Sequence, residues 1–115
     1  MKEDLGSADE IQLSVLGRKS GHKIPRPVWF VLDGNKLLLL PGFGRKTQWY
    51  KNVSKNPNVE ISAGGDTYEL RSRPTSNPDE VKRVVDKFRE KYGASDLKQY
   101  YTDFDAAAEI SLTLP

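Results

Sequence analysis

The run Pro27-Val28-Trp29-Phe30-Val31-Leu32-Asp33-Gly34-Asn35-Lys36-Leu37-Leu38-Leu39-Leu40 decides the fold. Val28 to Leu32 is apolar at every position and rich in β-branched and aromatic residues, so it predicts a strand buried on both faces. Asp33-Gly34-Asn35 supplies residues that accept the left-handed backbone of a tight reversal. Leu37 to Leu40 then returns as the partner strand. Such a hairpin needs cover on both sides.

Working outward, Ile11, Leu13 and Val15 alternate with Gln12, Ser14 and Leu16, which is strand periodicity. Gly17 to Gly21 is a turn, and Pro25 and Pro27 hold the chain around Arg26 extended. Downstream, Thr47 is placed to N-cap a short helix with Trp49 and Val53 on one face, closed at Asn56-Pro57. Val59, Ile61 and Ala63, then Gly64-Gly65-Asp66, then Tyr68 and Leu70 predict a second hairpin. Asn77-Pro78-Asp79-Glu80 is a helix start: Asn77 caps, Pro78 suits the first position and Glu80 reaches back as in a capping box. Val81, Val84, Val85, Phe88 and Tyr92 follow at helical spacing up to Gly93, with Asp79 and Arg83 four apart as an ion pair. Asp96 to Tyr101 predicts one more helical turn. Ala108, Ile110, Leu112 and Leu114 predict the last strand.

The order is β-β-β-α-β-β-α-β. It predicts a mainly β (α+β) chain whose six antiparallel strands close into a small barrel, because closure removes exposed edges. Residues 10–115 read as one domain and residues 1–9 as a flexible N-terminal tail. The 115 residues carry a net charge of +2 with both signs mixed, which argues against nucleic-acid binding by bulk electrostatics. No apolar run is long enough to span a membrane. The polar N-terminus has no signal-peptide core, and the chain has no cysteine, so a cytoplasmic setting is expected.

Two glycine-flanked basic loops each follow an apolar strand. The first, Gly17 to Gly21, offers Arg18, Lys19 and the Ser20 hydroxyl, a set that matches a phosphate; a solvated turn is the plain alternative. The second, Pro41-Gly42-Phe43-Gly44-Arg45-Lys46-Thr47, leads into a helix N-terminus, which favours anions, and its glycines would let backbone lie against a flat ring. An ordinary strand-to-helix connection would look the same. Trp29 and Phe30 point to opposite faces of one strand, and Trp49 and Tyr50 follow the second loop; such aromatics serve either the core or a stacked ligand. His22 is the only histidine, so neither a metal site nor a nucleophilic triad is expected. No acid–base dyad stands out among the carboxylates.

Leu16-Gly-Arg-Lys-Ser-Gly21, then Pro27-Val-Trp-Phe-Val31, then Leu37-Leu-Leu-Leu-Pro-Gly42 and Thr47-Gln-Trp-Tyr-Lys-Asn-Val53 occur in an order that resembles the deazaflavin-dependent nitroreductase family of the FMN-binding split-barrel superfamily. The resemblance runs from about Glu10 to Leu114. It implies a split-barrel homodimer that binds FMN or a deazaflavin and passes hydride to a small acceptor such as a quinone or nitro compound. Arg18, Lys19, Ser20 and Arg26 would hold the phosphate or acidic tail, and residues 42–47 would face the ring. Pro41, Trp29 and Trp49 complete the implied cofactor site, and Tyr100 and Tyr101 are the implied substrate residues. Family members carry an arginine shortly after the first turn. Here Ile24 stands in that place and Arg26 lies two residues on, on the same strand face. The second loop is shorter than in many relatives. A binding protein without turnover, and an oligonucleotide-binding barrel stacking bases on Trp29, Phe30 and Tyr68, are the alternative readings.

Overall fold

A computed structural model describes residues 10–63 and 65–112. Seven strands form one antiparallel sheet: β1 (Glu10–Leu16), β2 (Lys23–Trp29), β3 (Val31–Asp33), β4 (Lys36–Leu39), β5 (Asn58–Ala63), β6 (Asp66–Thr75) and β7 (Ala107–Ser111). Their spatial order is β2-β1-β5-β6-β7-β4-β3. The two edge strands, β2 and β3, are therefore successive in the chain, separated by Phe30 alone. A sheet whose opposite edges meet at one residue has to curl round on itself. β6 makes the opposite corner: Asp66 to Arg71 pair with β5, and Ser72 to Thr75 pair with β7. The fold is the mainly β barrel that the hairpin pattern predicts, in the split form that the family resemblance implies.

The strand count differs from six because the apolar run breaks in its middle. Val28 and Trp29 pair with β1, whereas Val31 and Leu32 pair with β4. At the break, the Phe30 N–H donates to the Tyr92 hydroxyl (3.0 Å), which itself donates to the Phe30 carbonyl (2.7 Å). Lys91 Nζ donates to the same carbonyl at 2.8 Å. Side chains from a helix thus satisfy the backbone groups that the ladder leaves over. β2 also starts earlier than the apolar residues, at Lys23, and carries Pro25 and Pro27. An edge strand tolerates prolines because one side needs no N–H.

The interior is filled from alternate strand positions, with Leu13, Phe30, Leu37, Ile61 and Ile110 fully buried. Helix α1 (Gln48–Lys55) adds Trp49, Tyr50 and Val53 to this core. Helix α2 (Pro78–Tyr92) lays Val81, Val84, Val85 and Phe88 on the outer face, against Val31, Leu38, Leu40 and Ala107. Leu37 to Leu40 is all leucine because odd positions face the interior and even positions face α2. The short helix α3 (Ala94–Tyr100) adds Leu97 to that outer layer.

Both hairpins form where expected, and Gly34 takes the left-handed backbone (φ 61°) its turn requires. Asn77 caps α2 as read, accepting from the N–H groups of Asp79 and Glu80. Three local expectations fail. The Glu80 carboxylate pairs with Arg73 instead of reaching back, and the Asn77 N–H goes to Thr75 Oγ1. Arg83 pairs with Asp33 across the fold rather than with Asp79. Thr47 precedes α1 but its hydroxyl makes no cap; it accepts from the Phe43 N–H at 2.8 Å. The residue 1–9 tail, Gly64 and the Thr113–Leu114 end of the last strand lie outside the described residues.

Candidate functional site

The first basic loop is drawn tight by two backbone bonds, Gly17 N–H to His22 carbonyl (2.9 Å) and Gly21 N–H to Gly17 carbonyl (2.8 Å). Gly21 sits at φ 72°, the left-handed region that favours glycine. The Ser20 hydroxyl comes so close to Gly17 that a Cβ there would lie 2.6 Å from it. The amides of Gly17, Arg18 and Gly21 are all used internally, so fewer free N–H groups remain than the loop sequence suggests.

Arg18, Lys19 and Ser20 line a cleft of about 390 Å³ with Ile24, Arg26 and helix residues Gln48, Trp49 and Asn52. Arg26 is thus brought to the loop, together with Ile24 from the same face of β2. A larger cleft of about 640 Å³ lies beside it, lined by Trp29, Gly42, Phe43, Lys46, Thr47, Tyr100 and Tyr101 among others. Arg26, Gln48 and Trp49 line both, so the two clefts are lobes of one groove. One lobe is cationic and the other is walled by aromatic rings.

The aromatic wall is ordered by stacking. Trp29 lies 4.4 Å from Tyr92, nearly parallel, and Tyr100 meets Trp29 edge-on at 5.4 Å. Burial pushes the Tyr101 phenol well above its ordinary range, with Tyr92 adding to the effect, so it stays a neutral hydroxyl. Phe43 (63% exposed) and Tyr100 (58%) stand at the mouth. Phe30, by contrast, is wholly buried and faces the core, which removes it as a stacking platform.

Three residues expected at the cofactor do not line the groove. Pro41 is buried beneath it. Gly44 faces the segment before β7: a Cβ there would lie 2.0 Å from Asp105 Oδ1 and 2.3 Å from the Asp103 carbonyl. Arg45 turns the same way, its N–H donating to Asp105 Oδ1 (2.9 Å) and its Nε pairing with Oδ2 (3.2 Å). The Thr102 N–H also donates to the Gly42 carbonyl at 2.8 Å. The second loop is therefore latched to the segment between α3 and β7, which fixes Gly42 and Phe43 opposite Tyr100 and Tyr101. Desolvation raises the Asp105 pKa, but the backbone and side-chain bonds from Arg45 outweigh it and hold the carboxyl below its usual range.

The described cations of the groove have no carboxylate paired with them, unlike several cations elsewhere on the surface. Lys23, Lys36, Arg45, Arg73, Arg83 and Arg89 are all ion-paired. Among the described residues, no carboxylate pairs with Arg18, Lys19, Arg26 or Lys46, and Glu10 is the only acidic residue lining either lobe. Unpaired cations around a concave wall form a receptive site for an anion. A further cleft of about 540 Å³, outside β1, β5 and β6, contains Glu60 and Glu69 directly opposite each other. Its two carboxylates balance Lys23 and Arg71, so it lacks the excess positive charge of the groove. His22 is exposed in its turn, and no metal-binding group occurs among the described residues.

Sequence reading missed Gln48 and Asn52. Their signal was present: the two are four apart on α1, and Asn52 falls beside Val53 on the side that packs inward.

A family profile described as F420H(2)-dependent quinone reductase matches residues 2–111. A Mycobacterium tuberculosis protein named as an F420H(2)-dependent quinone reductase is 29% identical over 89 residues, covering 75% of this chain and 74% of that protein. Among solved structures, an F420-H2 dependent reductase superposes with a TM-score of 0.69 at 18% identity, covering 90% of this chain and 94% of the other. A heme storage protein from Vibrio cholerae superposes at 0.74 with 15% identity, covering 99% and 88%. At such identities the structural likeness shows the fold alone, and the same barrel serves proteins of different description. The profile spans nearly the whole sequence, and the chain belongs to the F420H(2)-dependent quinone reductase family.

Proposed function

We propose that the chain is a deazaflavin-dependent reductase that passes hydride to a small oxidised acceptor, with a quinone as the first candidate. The observation that carries this reading is the two-lobed groove: an aromatic-walled lobe joined through Arg26 and Trp49 to a lobe of unpaired cations. A planar ring with an acidic tail fits that division, and the family description favours the deazaflavin over FMN. When bound, the cofactor supplies the hydride chemistry.

The chain's own part is to bind, orient and exclude water. Arg18, Lys19, Ser20 and Arg26 would hold the acidic tail. Trp29, Trp49, Gly42, Phe43, Lys46 and Thr47 would hold the ring, and Tyr100 and Tyr101 would border the acceptor. Pro41, Gly44 and Arg45 act behind this wall, by shaping and latching the loop. The chain needs no proton-transferring dyad, and Tyr101 as a neutral phenol adds a polar atom without charge. A second copy of the chain is proposed to cover the exposed rings of Phe43 and Tyr100. Val31 and Trp29 need no such cover, because α2 already packs on Val31 and its Tyr92 stacks on Trp29. A cytoplasmic setting is part of the same proposal; among the described residues no helix is long and apolar enough to cross a membrane.

The test supplies reduced deazaflavin and reduced FMN separately and follows reoxidation with quinone and nitro acceptors. Faster reoxidation of the deazaflavin, with tight binding, supports the reading. Binding without acceleration would make the chain a carrier, and binding of neither would overturn the site.

A further inference from the structure

Arg18 is held by amides, not by carboxylates. Its Nη1 donates to Asn52 Oδ1 at 2.9 Å and its Nη2 to Gln48 Oε1 at 3.0 Å. Its backbone N–H donates to the same Asn52 oxygen at 3.1 Å. Gln48 and Asn52 lie four apart on α1, one above the other on a single face. Asn52 is only 4% exposed and lines the cationic lobe. A buried polar side chain costs stability unless it is bonded, and this one spends both lone pairs of its oxygen on a single residue.

The chemistry of those acceptors matters. A carboxylate at either position would orient the guanidinium equally well, yet it would cancel the charge an anion needs. Arg83 on Asp33 and Arg73 on Glu80 and Glu109 show that this chain uses carboxylates where an arginine is structural. At Arg18 it uses two neutral amides. We infer that Asn52, supported by Gln48, is a positioning residue that fixes the first loop and aims the Arg18 guanidinium with its charge intact, so that an anionic ligand meets a preorganised cation. The inference rests on the proposed function for the ligand's identity, but not for the cradle itself. Preorganisation lowers the ordering cost of binding, and a rigid fork loses less freedom per bond than a flexible lysine.

The experiment measures binding of the deazaflavin and, separately, of inorganic pyrophosphate to wild type, Asn52→Leu, Asn52→Asp, Arg18→Ala and the Asn52→Leu/Arg18→Ala pair, at several salt concentrations. Asn52→Leu should weaken both ligands by about tenfold, and should cost less than about twofold once Arg18 is alanine. Asn52→Asp keeps the acceptor and the loop, yet should also weaken binding and flatten its salt dependence, because Arg18 is then neutralised. If Asn52→Leu does not fold, Asn52→Asp carries the test alone. Wild-type affinity in Asn52→Asp would overturn the uncharged cradle. An undiminished loss from Asn52→Leu in the Arg18→Ala background would mean that Asn52 acts without Arg18, and would overturn the positioning role. Pyrophosphate binding that shows the expected pattern without deazaflavin binding would keep the cradle and remove the cofactor reading. Binding of neither ligand to wild type would overturn both.

Discussion

The hydroxyl of Tyr92 closes a two-point clasp on Phe30, accepting from its N–H at 3.0 Å and donating to its carbonyl at 2.7 Å. The same ring stacks on Trp29 at 4.4 Å. One side chain thus mends the broken strand and sets the back wall of the aromatic lobe. Tyr92→Phe should keep the stack and lose the clasp. Leaving a part-buried N–H without its partner should cost roughly 1–3 kcal/mol of stability. Urea unfolding followed by tryptophan fluorescence measures it, and a change near zero would show that solvent replaces the hydroxyl.

The cationic lobe makes a different demand. Changing Arg18 and Lys19 together to alanine should weaken deazaflavin binding by roughly 2–4 kcal/mol, because charge-assisted bonds are lost from a site without counter-ions. Lys19 is exposed and Arg18 half-buried, so the fold should persist. Titration of cofactor fluorescence reads the affinity, and circular dichroism checks the fold. Unchanged affinity would return the loop to a solvated turn.

Bulk at Gly44 should act on the latch rather than on the ring. The position combines φ 57° with Asp105 and the Asp103 carbonyl at clash distance. Gly44→Val should therefore cost more than about 2 kcal/mol and loosen the loop. Gly42→Ala is the contrast: its Cβ would rest 3.7 Å from the Tyr100 carbonyl, an ordinary contact. It should leave the melting temperature nearly unchanged. Equal melting temperatures for the two variants would show that the latch is dispensable.

The latch also has an acid limit. The Asp105 carboxyl is held below its ordinary range, so its stabilising effect is full above the unfolded-state pKa and is lost as pH falls through the lower folded value. Glu109 behaves alike: burial raises its pKa, but bonds from Arg73 and Lys36 outweigh this and lower it. Stability should be flat from neutral pH down to the carboxylate range and fall below it. Asp105→Asn should be less stable at neutral pH and show a shallower acid decline. An acid decline as steep as wild type would place the sensitivity elsewhere.

Most of the barrel was legible because its signals are local. Strict alternation gave β1 and β5, turn chemistry gave both hairpins, and Asn77-Pro78 gave the start of α2. What stayed hidden depends on partners far along the chain. Nothing in Val28 to Leu32 announces a break at Phe30, because the groups that make the break tolerable belong to Lys91 and Tyr92. Helical spacing offers Asp79 to Arg83, yet the fold brings Asp33 to it instead. The site shows the same division. Arg18 and Lys19 could be read from charge and glycine spacing, and Arg26 only through the family resemblance, whereas Asn52 looked like any polar residue of a short helix. Gly44 and Arg45 carried the right chemistry and faced the wrong way, since only the placement of Asp105 decides which side of the loop meets solvent.

The joint at Phe30 carries a consequence for how the chain reaches its native state. β1 and β2 can pair early, as can β3 and β4, because each hairpin is short-range. The joint between these two hairpins is bonded by a hydroxyl 62 residues away. Contacts of such separation form late, after the loop-closure entropy has been met. The barrel should thus assemble as two independent wings that fold shut only when the end of α2 docks. Until then the groove has no back wall, so ligand binding should appear as the last kinetic phase of refolding, in step with the docking of Tyr92.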